Sequence, residues 1–440
     1  MKRILHWNLR EQAPVLVCLA LVVLLLLLPT GYEDRVVFQE SDIRAARVLA
    51  TDESTVVDTG LVRSGEQRCR LEILGGPFDG RITEGKNALN GSLEQDKLFA
   101  VGDRALVRIN YLGDEILSVS MIDHDRTPWE LVLGGLFALL LLLFAGRTGI
   151  RAVLSFVLTV LMIWKLLVPL YLKGYNPIWA GLGITLILTV LIIALVYGFD
   201  RRCLAAVSGS FLGILVTCIL GILFTDLFKI HGAVMAYSES LLYAGYQDLS
   251  LTRIFMASVF LGASGAIMDL SVDITSAVWE VVEKRRDLGW REAAKSGMNV
   301  GRSAMGTMTT TLLFAYSGGY IALLMVFMAQ GTPVSNILNY KYVAAELIHT
   351  VIGSFGLVTV APFTALCAGL LLAERIKPAA EAHTGEKGGV TMKSKEKREQ
   401  EVLLDMAQPA VRQSETDPQG SYTGVPENIR ELPVQDADDL

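Results

Sequence analysis

Asp269 and Asp273 stand four residues apart in the apolar stretch Ala257-Ser-Val-Phe-Leu-Gly-Ala-Ser-Gly-Ala-Ile-Met-Asp-Leu-Ser-Val-Asp-Ile-Thr-Ser-Ala-Val-Trp-Glu280. In a helix that spacing puts both carboxylates on one face. Ionisable groups inside a bilayer are costly, so they turn toward protein or a water-filled cavity. Ser276 and Glu280 continue the stripe in one direction. Ser258, Gly262 and Ala266 continue it in the other as a small-xxx-small series, the pattern that lets helix backbones approach closely. The chemistry on offer is binding of a proton or a cation. The plainer alternative is that the span ends near Leu270 and Asp273 is already wet.

The next apolar segment supplies the groups such a site would need. Thr307, Thr309, Thr310 and Thr311 lie one to three turns into it, level with Asp269, and Asn299 and Arg302 precede them. Tyr316-Ser-Gly-Gly-Tyr320 predicts a kink or break within the membrane. Freed carbonyls and hydroxyls beside carboxylates make the shell of a dehydrated cation. Glu346 and His349 are three apart, a spacing that helical bundles use for di-metal centres. Topology sets this pair roughly 20 Å from Asp273 at helical rise, so it reads as an interfacial hydrogen-bonded pair and no metal site is expected. Lys165 falls mid-way through another span. It either pairs with a carboxylate such as Asp269 or snorkels to the interface.

The elements that would hold these residues are long apolar runs. Of 440 residues, 52% are hydrophobic and only 19% charged, the balance of a membrane protein. Residues 1–30 read as an uncleaved N-terminal signal-anchor helix. Residues 32–127 have soluble composition, with candidate strands Arg44–Ala50, Gln67–Leu74, Asp79–Thr83, Asp103–Tyr111 and Glu115–Ile122. Five short strands in that length predict a small closed barrel of OB or SH3-like type. His124, flanked by Asp123 and Asp125, reads as a solvated turn rather than a cation site. Residues 129–375 hold seven further spans, near 129–146, 152–172, 177–198, 203–225, 253–275, 303–328 and 343–373. Residues 376–440 are polar and predict a disordered tail.

The fold class is therefore a polytopic α-helical membrane protein with about eight transmembrane helices and a small extracytoplasmic β domain between the first two. Arg147, Arg151, Arg201, Arg202, Lys284, Arg285, Arg286, Arg291, Lys295 and Arg302 cluster in alternate loops, which places both termini in the cytoplasm. Tyr237, Tyr243 and Tyr246 predict an interfacial surface helix on the outer side. A net charge of -6 excludes nucleic acid as the main partner. The five cysteines form no disulfide framework or metal knuckle. Neither a nucleotide-binding loop nor a hydrolase motif occurs, so no cofactor and no enzymatic reaction are expected.

Three blocks make the second half of the chain resemble the YibE/F-like family of bacterial multi-pass membrane proteins. They are Gly262-Ala-Ser-Gly-Ala-Ile-Met-Asp-Leu-Ser-Val-Asp-Ile274, Ser296-Gly-Met-Asn-Val-Gly-Arg302 leading into Gly306–Gly318, and Ala345-Glu346 with Gly353-Ser-Phe-Gly-Leu-Val358 and Pro362. The resemblance covers roughly 130–375 and implies a multi-pass protein of the bacterial plasma (inner) membrane. It implies no particular substrate. Two functions fit the residues. One is a secondary transporter or permease for an unknown small solute or ion, with the carboxylates as its proton or cation site. The other is a non-transporting assembly or sensory protein whose outer domain binds an envelope partner. The bilayer is a partner in either case, and oligomerisation is compatible with both.

Overall fold

The structure is a computed structural model that describes residues 9–32 and 41–373. The polar region 376–440 lies outside the described residues. The first helix, α1 (Leu9–Leu27), is followed by six strands: β1 (Ser41–Asp52), β2 (Val57–Asp58), β3 (Arg63–Leu74), β4 (Ile82–Asn90), β5 (Arg104–Leu112) and β6 (Glu115–His124). The sheet order is β1-β5-β6-β4-β3-β2, and β1 also pairs with β3. The five long strands therefore close into a barrel, which removes the open edges a flat sheet would expose. All pairings are antiparallel except β4 with β6, which meet in parallel at Gly85 and Val119. The expected strand at Asp79–Thr83 is displaced: residues 75–81 make a turn, and the strand begins at Ile82. Glycines at 75, 76 and 80 all take positive φ there, a conformation that breaks a ladder.

Alternation builds the barrel core. In β5, Ala105, Val107 and Ile109 are fully buried, while the intervening Leu106 and Arg108 point outward, the period-two pattern of a strand with one wet face. Gln67 is buried too. Its amide donates to the Phe99 carbonyl at 2.9 Å and accepts from the Phe99 amide at 3.0 Å. That pair fastens the loop 91–103 across one end of the barrel.

The helical part follows directly. It comprises α2 (Thr127–Met162), a π-helical turn Ile163–Leu167, α3 (Val168–Leu172), α4 (Pro177–Tyr197), α5 (Arg201–Leu227), α6 (Ser238–Tyr243), α7 (Leu251–Lys284), α8 (Trp290–Ser317), a 3-10 turn Gly318–Tyr320, α9 (Ile321–Ala329), α10 (Val334–Leu338), α11 (Lys341–Leu347), a second π-helical turn Ile348–Ile352, and α12 (Gly353–Leu372). Six helical stretches among the described residues are long and apolar enough to cross a membrane: Thr127–Leu172, Pro177–Tyr197, Arg201–Leu227, Leu251–Lys284, Trp290–Ala329 and Lys341–Leu372. Gln12–Leu27 is a shorter apolar helix. The expected spans 129–146 and 152–172 thus run together as one stretch of 46 residues. Straight, it would be roughly 69 Å long, over twice a hydrocarbon core. It is not straight. Gly146 has φ +53 and ψ −120, far from helical values, and Gly149 packs on the Leu141 carbonyl eight residues earlier.

Helices α5, α7, α8 and α12 share the largest buried core, built on Ile214, Ile267, Ile274, Leu357 and Val360. Small residues allow the backbones to meet: Gly209 of α5 abuts Thr364 of α12, and Gly297 of α8 abuts Val278 of α7. Hydroxyls tie the same layer together, with Ser210 and Ser271 at 2.6 Å, both buried. The pairs Gly262 with Tyr316, Ile274 with Gly301 and Val278 with Gly297 show α7 and α8 running antiparallel side by side. The break expected at Gly318-Gly319 is present as the 3-10 turn. Tyr237 and Tyr243 are exposed at the short helix α6.

Candidate functional site

The apolar face of α7 is continuous: Phe260, Ala263, Ile267, Leu270, Ile274 and Val278 are fully buried. What remains faces outward as a stripe of Gly262, Gly265, Asp269, Asp273, Ser276 and Glu280. Asp269 and Asp273 make no hydrogen bond or ion pair among the described residues. At the stripe's far end the Tyr197 hydroxyl donates to the Val272 carbonyl at 2.6 Å and lies 2.6 Å from Ser276 Oγ. Arg202 stacks over both Tyr197 and Trp279 and pairs with Asp200 at 3.0 Å. Glu280 does not join the carboxylate pair. Lys284 holds it at 2.6 Å in an exposed i,i+4 bridge, a contact of little energetic weight.

The threonines share Asp269's depth. Gly262 beside Tyr316 and Ile274 beside Gly301 bracket the level of Asp269 at about residue 308. Yet Thr307 donates to the Ala304 carbonyl, Thr309 and Thr310 to Gly306, and Thr311 to Thr307, all at 3.0–3.1 Å. Hydroxyls satisfied by their own helix are the usual state of Ser and Thr in membrane helices. Asn299 and Arg302 lie elsewhere again, in a cleft between α8 and α12 with Arg291, Lys295 and Pro362. Lys165, within the first π-helical turn, donates to the Leu28 carbonyl at 3.3 Å. It meets no α7 carboxylate. It caps the C-terminal end of α1, where a cation is favourable.

The second constellation is more enclosed. His349 lies in the π-helical turn Ile348–Ile352, and Glu346 one turn before it. Single π turns inside α-helices recur at functional sites. The His349 ring stands edge-on to Phe255 at 5.0 Å and tilted against Tyr316 at 5.6 Å. Its Nε2 is 3.5 Å from Ser258 Oγ. Its Nδ1 and Glu346 Oε1 are both buried, and neither has a partner among the described residues. The expectation of an interfacial hydrogen-bonded pair is therefore corrected: the two groups do not bond each other. Ser258 lies seven residues into α7 and His349 eight residues beyond Lys341, about 10–12 Å below the helix starts at helical rise. No group of three or more metal-ligating side chains occurs among the described residues. Tyr316 and Ser258 are the wall residues that spacing alone could not assign, because their role depends on how three helices are rotated about their axes.

Outside the helical layer, Asp123 and Asp125 are each paired with an arginine, and Asp123 Oδ1 also accepts from the His124 amide at 2.7 Å. Arg126 takes Asp123 at 3.0 Å and Arg104 takes Asp125 at 3.0 Å. Arg126 holds the Asp123 carboxyl below its usual range. Burial in the barrel pushes the Cys69 thiol up to about 11, which leaves it a small inert hydrophobe. All five cysteines are free.

Residues 133–374, which contain both constellations, match the family described as YibE/F-like protein. No curated protein and no solved structure matches the chain.

Proposed function

The chain belongs to the YibE/F-like family, and from that premise we propose that it is a secondary transporter or permease of the bacterial plasma membrane with a carboxylate-based proton or cation site. The observation that carries this reading is the pair Glu346 and His349 beside α7, α8 and a π-helical turn, each with one buried polar atom, Oε1 and Nδ1, that has no partner among the described residues. Buried ionisable groups without partners are costly, and in membranes they mark ion and proton pathways. One face of α7 links this pair to the aspartates: Ser258 touches His349, Gly262 touches Tyr316, and Asp269 and Asp273 follow. From Ser258 to Asp273 the stripe rises roughly 22 Å, most of a hydrocarbon core of about 30 Å. A proton or small cation would pass between the two carboxylate stations along that face. An ion gradient supplies the energy, since the sequence holds no nucleotide-binding loop.

In this reading the 46-residue stretch turns at Gly146 and crosses twice, so with α1 the crossings number eight. Both termini are cytoplasmic, and the barrel, OB-like in its closed five-stranded plan, lies outside. Its exposed apolar tip, with Leu61 and Leu93 over 80% accessible beside a cavity of about 330 Å³, favours the second reading, an assembly or sensory protein that binds an envelope partner. One measurement separates them. Purified protein in proteoliposomes under an imposed pH gradient should carry proton flux that falls at least about tenfold in Asp269→Asn and Glu346→Gln, each with unchanged melting temperature. Equal flux in all three proteins would sink the transport reading and leave the partner-binding one.

A further inference from the structure

We propose that the cleft between the start of α8 and the middle of α12 binds the phosphate of an anionic phospholipid. The cleft holds about 460 Å³. Arg291, Lys295, Asn299 and Arg302 line one wall at intervals of four, four and three residues, a single face of α8. Pro362, Ala365 and Leu366 of α12 line the other wall, and Ala294 and Met298 of α8 add to it, so an array of cations stands beside an apolar surface. No carboxylate lines the cleft. None of the three cations has a salt bridge or hydrogen bond among the described residues; Arg291 only stacks on Trp290 at 5.3 Å. Charge without a counter-charge, three donors and an adjacent apolar wall match a lipid, whose phosphodiester and acyl chain must be met together. Basic pockets between helices at the interface are the recurring form of anionic-headgroup sites. Trp290, which also lines the cleft, is the residue type that favours such an interface, and Leu366 is well exposed.

The occupant differs from the proposed proton or cation in sign, and the site shares no residue with the Glu346 and His349 cluster. The two proposals therefore fail independently. The full-length protein, purified in mild detergent, is offered an equimolar mixture of phosphatidylglycerol and phosphatidylcholine, and bound lipid is read by native mass spectrometry. Wild type should retain phosphatidylglycerol preferentially. Each cation removed should lower that preference roughly fivefold, so Arg291→Gln/Lys295→Gln/Arg302→Gln should abolish it. The single variant Arg302→Gln, checked by melting temperature, keeps the test decisive if the triple variant misfolds. Equal retention of the two lipids, or a preference unchanged in Arg302→Gln, overturns the proposal. So does displacement of all bound phosphatidylglycerol by millimolar inorganic phosphate, which would make the site one for the free anion. A photo-crosslinker at Leu366 that captures the acidic residues 427–440 in place of lipid overturns it as well, since the chain would then fill its own cleft.

Discussion

Asp269 and Glu346 carry the same chemistry, and their surroundings set them apart. Asp269 faces away from the packed core on an exposed stripe, whereas one oxygen of Glu346 is sealed from solvent without a partner. The residue types were legible from composition alone, because a carboxylate in an apolar run stands out at any rotation. Their partners were not. The threonine hydroxyls donate along their own helix, because a hydroxyl there reaches the carbonyl at i−3 or i−4 before it reaches a neighbour. A residue whose partners are settled is Asp96. Its two oxygens accept from the amides of Asn90 at 2.9 Å and Ser92 at 2.8 Å, stapling the turn after β4. Those backbone hydrogen bonds, chiefly the one from Asn90, hold its carboxyl below the usual range. A folded pKa lower than the unfolded one adds stability that is present above the unfolded value and lost as pH falls through the folded value. Asp96→Asn should therefore lower the melting temperature of the barrel transition at pH 7. The gap to wild type should close as pH falls below about 3.9. A gap that stays constant from pH 7 to pH 3 would show that the charge plays no part.

At the scale of elements, glycine positions decide how close the helices come. The apolar segments could be read from hydropathy, and the break at Gly318-Gly319 from the paired glycines. Which glycines carry a contact could not, since that depends on the facing helix. Gly297 and Gly306 lie on the same helix nine residues apart and differ completely. A Cβ at Gly297 would meet Val278 Cγ2 at 2.5 Å and Ile274 Cγ2 at 3.2 Å, while one at Gly306 meets nothing within 4 Å. Gly297→Ala should thus overpack the junction of α7 and α8 and cost about 1–3 kcal/mol. Gly306→Ala should be neutral or gain up to about 1 kcal/mol from helix propensity. Thermal unfolding of the two variants in one detergent reads the difference directly. Equal shifts would mean that α7 and α8 do not approach at Gly297.

For the whole molecule, the division into a barrel and an apolar helical region follows from composition. A soluble stretch of fewer than a hundred residues between apolar runs has few alternatives. The strand at 82–90 escaped because Gly85 and the polar residues around it mask its alternation; only Leu89 is a large buried hydrophobe there. The crossings in 127–172 were separable in the sequence, with a boundary between 146 and 152 at Arg147 and Arg151. The helix is interrupted at that boundary by Gly146, whose φ of +53 suits glycine and strains any other residue. If the stretch turns there and crosses twice, Arg147 and the barrel lie on opposite sides of the membrane. The basic pair Arg147 and Arg151 then sits inside, as the positive-inside rule requires. Both positions needed for a test are exposed: Arg147 just past the turn, and Glu94 on the barrel. In a background with the native cysteines replaced, Glu94→Cys should react with a membrane-impermeant maleimide in intact spheroplasts. Arg147→Cys should react only after lysis. If both react in intact spheroplasts, the 46-residue stretch does not cross twice, the parity of every later crossing changes, and the basic cleft at Arg302 moves to the outer surface.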